Sequence, residues 1–124
     1  MPQNERMQLF EDQPVRTAWD EEREEWYFSV VDVVKVLTDQ PDLRSASNYW
    51  RVLKKRMKDE GNQLVTNCNQ LKLKTPDGKR YLTDVATTGQ LLRIIQSIPS
   101  RKAEPLKLRL AQVGRERIDE ITCA

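Results

Sequence analysis

The side chains best suited to chemistry in this chain recur between Arg44 and Lys58, where Ser47, Asn48, Arg51, Lys54, Lys55 and Lys58 follow one another at helical spacing. At about 100° per residue they gather on one side of a helix, and Ala46, Tyr49, Trp50, Leu53 and Met57 gather on the other. Cations neutralise phosphates, while amides and hydroxyls meet the hydrogen-bonding edges of bases. The pattern therefore predicts a helix that anchors through its apolar side and offers its basic side to duplex DNA. Arg51, Lys54, Lys55 and Lys58 are the expected phosphate contacts, with Arg44 on the same surface. Ser47, Asn48 and Arg51 are within reach of base edges, and Asn48 is the favoured reader. Charged helix faces are also common where they meet only solvent, so the helix alone leaves that alternative open. Trp50, near the edge of the apolar arc, is expected in the core rather than stacked on a base.

Two further basic groups accompany this helix. Lys72, Lys74, Lys79 and Arg80 flank Thr75-Pro76-Asp77-Gly78, a turn in which Pro presets φ at the second position and Gly accepts positive φ at the fourth. A β-ribbon carrying those cations would grip a DNA backbone, although Lys on a strand also guards an edge against aggregation. Arg101 and Lys102, with Lys107 and Arg109 beyond them, stand near a predicted helix start, where free N–H groups favour phosphate. Their alternative partner is the acidic stretch Asp20 to Glu25.

Catalysis has little to work with. The chain holds 0 histidines, which removes the commonest general base and the commonest metal ligand. Asp59, Glu60, Asp77 and Asp84 are the carboxylates that a Mg²⁺-dependent nuclease would use, and each has a simpler reading as helix terminus, turn or cap. Cys68 and Cys123 lack CxxC spacing and read as reduced bystanders. No enzyme activity, catalytic residue, metal or cofactor is expected.

Net charge is only +2, but it is unevenly placed. Residues 1–40 carry 4 basic and 10 acidic side chains, residues 41–110 carry 15 and 6, and the last 14 are near balance. Such an imbalance points to a polyanionic partner for the middle of the chain. No apolar run approaches the roughly 20 residues of a membrane span, and the N-terminus lacks an apolar signal region, so a cytoplasmic protein with no membrane association is expected.

The positioning elements follow from local pattern. Residues 7–10, 15–19 and 26–28 read as short strands. Ser29 caps a helix that buries Val30, Val33, Val34 and Leu37 and ends near Thr38. The basic helix follows, capped by Asp42 or Ser45 and closed at Gly61. Residues 63–74 are extended, and Lys72 to Lys74 pair with Lys79 to Leu82 across the turn. Thr83 or Asp84 is expected to cap a helix through Ile95 with Leu91, Leu92, Ile94 and Ile95 inside. A last helix runs from about Lys102 to Glu120, striped by Leu106, Leu110, Val113 and Ile121, with Leu108 pointing away. The fold class is α+β: small antiparallel strands and hairpins packed with about four helices, in a single domain over 1–124 with its core at about 7–121.

Several segments carry a family likeness in their succession: Trp26-Tyr27-Phe28-Ser29-Val30-Val31-Asp32-Val33-Val34-Lys35-Val36-Leu37, then Tyr49-Trp50-Arg51-Val52-Leu53-Lys54-Lys55-Arg56, Asp77-Gly78-Lys79, Leu91-Leu92-Arg93-Ile94-Ile95-Gln96-Ser97-Ile98-Pro99-Ser100, and Ala103 to Ala111. This order resembles the Bro-N domain, the N-terminal module of baculovirus BRO proteins and of many phage and prophage antirepressors. The resemblance implies an α+β module that binds DNA and regulates transcription in phage or prophage biology. The alternative it leaves open is an antirepressor that sequesters another regulator protein without binding DNA. A homodimer also stays open, through Leu108 and an exposed final helix.

Overall fold

A computed structural model describes residues 4–10, 13–61 and 69–112. They form β1 (Asn4–Phe10), β2 (Gln13–Asp20), β3 (Glu25–Ser29), α1 (Val30–Thr38), α2 (Leu43–Asp59), β4 (Asn69–Lys74), β5 (Arg80–Ala86) and α3 (Thr88–Gln96), followed by α4 over residues 103–112. The expected α+β class holds. The five strands make one antiparallel sheet in the order β1-β2-β3-β5-β4.

Local chemistry sets the elements. The acidic stretch after β2 becomes a turn because the Asp20 carboxylate accepts from the backbone N–H groups of Glu22 and Arg23, at 3.0 and 3.3 Å. β3 passes directly into α1 at Ser29, whose hydroxyl accepts from the Asp32 N–H. The exit of α1 is equally tight: Asp39 takes a left-handed conformation, and its N–H returns to the Lys35 carbonyl. Of the two candidate caps for α2, Asp42 is the one used, with its carboxylate accepting from Ser45 N–H at 2.8 Å. Gly61, at φ 88°, follows the helix and donates to the Lys58 carbonyl. That conformation is open to glycine at little cost.

One expectation is corrected. Residues 83–86 do not open a helix; they complete β5, where Ala86 pairs with Phe28 and Val85 with Ser29. The helix starts later, at Thr88, and is capped by Thr87, whose hydroxyl accepts from Gln90 N–H while the Gln90 side chain accepts from Thr87 N–H. Pairing of a buried strand outweighs the capping tendency of Thr83 and Asp84. The strands also run longer than their sequence cores, since β1 and β2 pair continuously from Asn4↔Trp19 to Phe10↔Gln13.

The main core lies between the helices and one face of the sheet. It joins Val15, Phe28 and Ala86 to Val30, Val33, Val34 and Leu37 of α1 and to Ala46, Trp50, Leu53 and Met57 of α2. Leu91, Ile94, Ile95, Ile98, Leu106 and Leu110 complete it from the C-terminal side. Burial of each such aliphatic side chain contributes roughly 1.5–3 kcal/mol before entropy is counted. A smaller cluster of Tyr27, Leu73 and Val85 sits on the other face of the sheet. Val113, Ile121, Cys68 and Cys123 lie outside the described residues.

Beneath the core, Arg16 ties three elements together. Its backbone N–H and side chain donate to the buried Asp32 carboxylate at 2.8 to 3.0 Å, and its other terminal nitrogen reaches the Lys74 carbonyl at 3.2 Å. β2, the first turn of α1 and the end of β4 are held in one cluster.

Candidate nucleic-acid interface

Helical geometry sorts α2 around its axis. Ala46, Trp50, Leu53 and Met57 form the buried seam. Asn48 lies opposite that seam, with Arg44, Lys55 and Val52 within about 40° of it by the 100° rule. Arg44, Ser47, Asn48, Arg51, Lys55 and Lys58 are all exposed, and Lys54 is partly so. Ser47, Lys54 and Lys58 face one flank of the outward ridge, while Ser45 and Arg56 face the other.

The flank bearing Lys54 meets the sheet. Lys54 Nζ and Trp50 Nε1 both donate to Asp84 Oδ2, at 2.9 and 2.8 Å, and Gln70 Nε2 donates to Asp84 Oδ1 at 2.9 Å. Partial burial pushes the Asp84 carboxyl up, but the three hydrogen bonds and the Lys54 charge together outweigh it and hold the group below the ordinary aspartate range. Asp84 is thus a structural carboxylate, and Lys54 serves it while keeping a side chain 36% accessible.

This junction decides what the hairpin offers to α2. Residues directly opposed in an antiparallel pair share a face, and alternate residues along a strand share it too. Gln70 opposes Asp84, Lys72 opposes Leu82, and Lys74 opposes Arg80. Since Asp84 reaches α2, Lys72, Lys74, Arg80 and Leu82 stand on that same helix-side face, all exposed. A cleft between helix and hairpin is lined by Arg16, Ser47, Trp50, Leu82 and Asp84 among others. Lys79 stands in the turn itself, which Asp77 organises by accepting from Lys79 N–H at 2.9 Å, from Tyr81 Oη at 3.2 Å and from the Thr75 hydroxyl. Hydrogen bonds from Thr75 and from the Lys79 backbone hold the Asp77 carboxyl below its usual range. Gly78, at φ 87°, donates to the Thr75 carbonyl. Arg80 reaches the Lys72 carbonyl at 3.3 Å.

The third basic group goes elsewhere. Arg101 is exposed, and Lys102 forms an ion pair with Asp39 rather than with the Asp20 to Glu25 turn. Both line a shallow groove with Tyr49 and Gln40. Tyr49 and Gln40 also line the groove that holds Ser45, Asn48, Val52 and Arg56, so Arg101 and Lys102 sit beside the flank of α2 remote from the hairpin. Lys107 pairs with Glu104, and Arg109 reaches Gln112.

Thus Lys72, Lys74 and Arg80 stand on the sheet face that Asp84 joins to α2, and Arg101 and Lys102 stand apart from it. Residues that sequence reasoning left out of the site are Arg16, Arg56, Leu82 and Asp84. Arg56 was legible from the same 100° count; the others owe their place to pairings across the sheet. Among the described residues, no three His, Cys, Asp or Glu side chains gather as metal ligands, and no helix is long and apolar enough to cross a membrane.

Residues 14–114 match the family model described as the BRO family, N-terminal domain, Bro-N. The match begins within β2 and reaches past the last described residue, covering most of the chain. No curated protein and no solved structure matches.

Proposed function

Because the chain belongs to the BRO family as an N-terminal, Bro-N domain, we propose that it is a regulatory DNA-binding module which grips duplex DNA through α2 and the β4–β5 hairpin. The observation that carries this reading is the register of the hairpin: Lys72↔Leu82 and Lys74↔Arg80 stand on the same face as Asp84, which is bonded to α2. The basic face of the hairpin and α2 therefore lie on the same side of the sheet. Arg51, Lys55 and Lys58 supply the helix cations, and Lys72, Lys74, Lys79 and Arg80 supply those of the ribbon. Phosphate contacts from two elements fix the orientation of the domain on a duplex. The module acts by binding, not by catalysis, and needs no cofactor. Its setting would be the cytoplasm of a cell carrying a phage or prophage, where it controls transcription.

The test is titration of a labelled random duplex by fluorescence anisotropy over a range of salt. Contact with about five phosphates gives a log–log slope near −4 to −5. A Lys55→Glu, Lys58→Glu variant keeps the fold, since both side chains are exposed, and should bind far more weakly. Equal affinity of the two proteins would remove α2 from the interface. A second reading, capture of a regulator protein, draws on Leu108, which is 71% exposed on α4. Failure of the native chain to bind any duplex at low salt would select it.

A further inference from the structure

Phosphate binding leaves one exposed residue of α2 unexplained. Val52 is 65% exposed, although it sits in a helix whose other exposed positions are almost all charged or polar. On a solvated helix face a β-branched apolar side chain lowers helix propensity and gains nothing from burial. Its position is specific. Asn48 lies opposite the buried seam, and Val52 follows one turn later, so the two side chains are neighbours about 5–6 Å apart at Cβ on the outermost ridge. Arg51 and Lys55 border that ridge toward the hairpin, and Arg56 borders it on the other side. When cations on both borders hold the phosphates that edge a groove, the ridge between them is what enters it.

We infer that Asn48 and Val52 form a base-reading pair for an adenine–thymine step in the major groove. Asn48 offers the amide oxygen and nitrogen that match adenine N6 and N7, and Val52 offers its methyl groups to the thymine 5-methyl of the same or the neighbouring pair. No other base pair presents both features, so the two residues favour A·T over G·C together. The inference rests on the proposed DNA-binding reading and adds a sequence preference to it. Neither side chain supports the core, so both can be replaced without loss of fold.

The experiment is selection of duplexes from a random pool by the whole chain, followed by replacement of each selected thymine with uracil, which removes only the 5-methyl group. The expected result is a selected site with an A·T pair at a fixed place and one thymine whose replacement weakens binding about fourfold, the value of one buried methyl. Val52→Ala should bind thymine and uracil duplexes alike, and Asn48→Ala should lose at least about fivefold in preference for A·T over G·C. Equal binding of thymine and uracil duplexes by the native chain, or a selection without a fixed A·T pair, would overturn the inference and leave nonspecific DNA binding intact. Absence of any duplex binding at low salt would instead overturn the DNA-binding reading, and this inference with it.

Discussion

Trp50 and Asp84, 34 residues apart, meet through a 2.8 Å hydrogen bond from the indole Nε1 to carboxylate Oδ2. That bond ties α2 to β5 on the sheet face that also carries Lys72, Lys74 and Arg80. A buried indole N–H requires an acceptor, and a carboxylate at the rim of the core requires donors. Each satisfies the other, with Lys54 and Gln70 filling the remaining places on Asp84.

Asp84→Ala should therefore destabilise the domain by about 1–3 kcal/mol, because Trp50 Nε1 is left without its partner at a site only 4% exposed. Urea unfolding followed by tryptophan fluorescence measures this. Equal stability of Asp84→Ala and the native chain would show that the junction contributes nothing.

The same carboxylate gives a pH dependence. Its folded-state pKa lies below the ordinary aspartate value of 3.8, so between the two values the unfolded chain binds more protons than the folded one. The stabilisation from Asp84 is complete above the ordinary value and declines as pH falls through the folded one. Acid unfolding of Asp84→Asn should lack this component, so its stability deficit should be present at about pH 6 and shrink below about pH 4. A deficit that stays constant with pH would place the effect in packing.

Arg16 and Asp32 form a pair whose side chains are 12% and 4% exposed. Removing one member of such a pair strands a charge, so Asp32→Ala should cost about 3–5 kcal/mol. Because Arg16 also donates to the Lys74 carbonyl, hydrogen exchange should speed up in β4 as well as in α1. Faster exchange confined to α1 would show that the hairpin is held by other bonds.

The hairpin and the Arg101–Lys102 group should part company in DNA binding. Lys72→Ala, Lys74→Ala should reduce the salt slope by about 2, one for each phosphate that is no longer neutralised, with little change in thermal midpoint since both side chains are exposed. Lys102→Ala should leave the slope nearly unchanged, because Lys102 is engaged by Asp39 on the remote flank of α2. A large slope change for Lys102→Ala would extend the interface beyond Arg56 to the groove that Lys102 lines.

Much of this was legible in the chain. The 3.6-residue period of Ala46, Trp50, Leu53 and Met57 placed the core side of α2, and Ser29, Asp42 and Gly61 marked helix ends where caps form. Thr75-Pro76-Asp77-Gly78 announced the hairpin and its Lys72 to Leu82 pairing. Residues 83–86 misread as a helix start because Thr83 and Asp84 have capping chemistry, whereas their conformation follows from β5 lying beside β3.

The sequence by itself determined the helices, their faces and the turn, because these depend on residues within one or two turns of each other. Tertiary structure alone decided that the hairpin shows Lys72, Lys74 and Arg80 on the side of α2, that Lys54 serves Asp84, and that Lys102 is drawn to Asp39. Those choices rest on pairings between residues 30 to 63 positions apart. A charge in a sequence carries no record of its partner across such distances; only the packed sheet and helices select it.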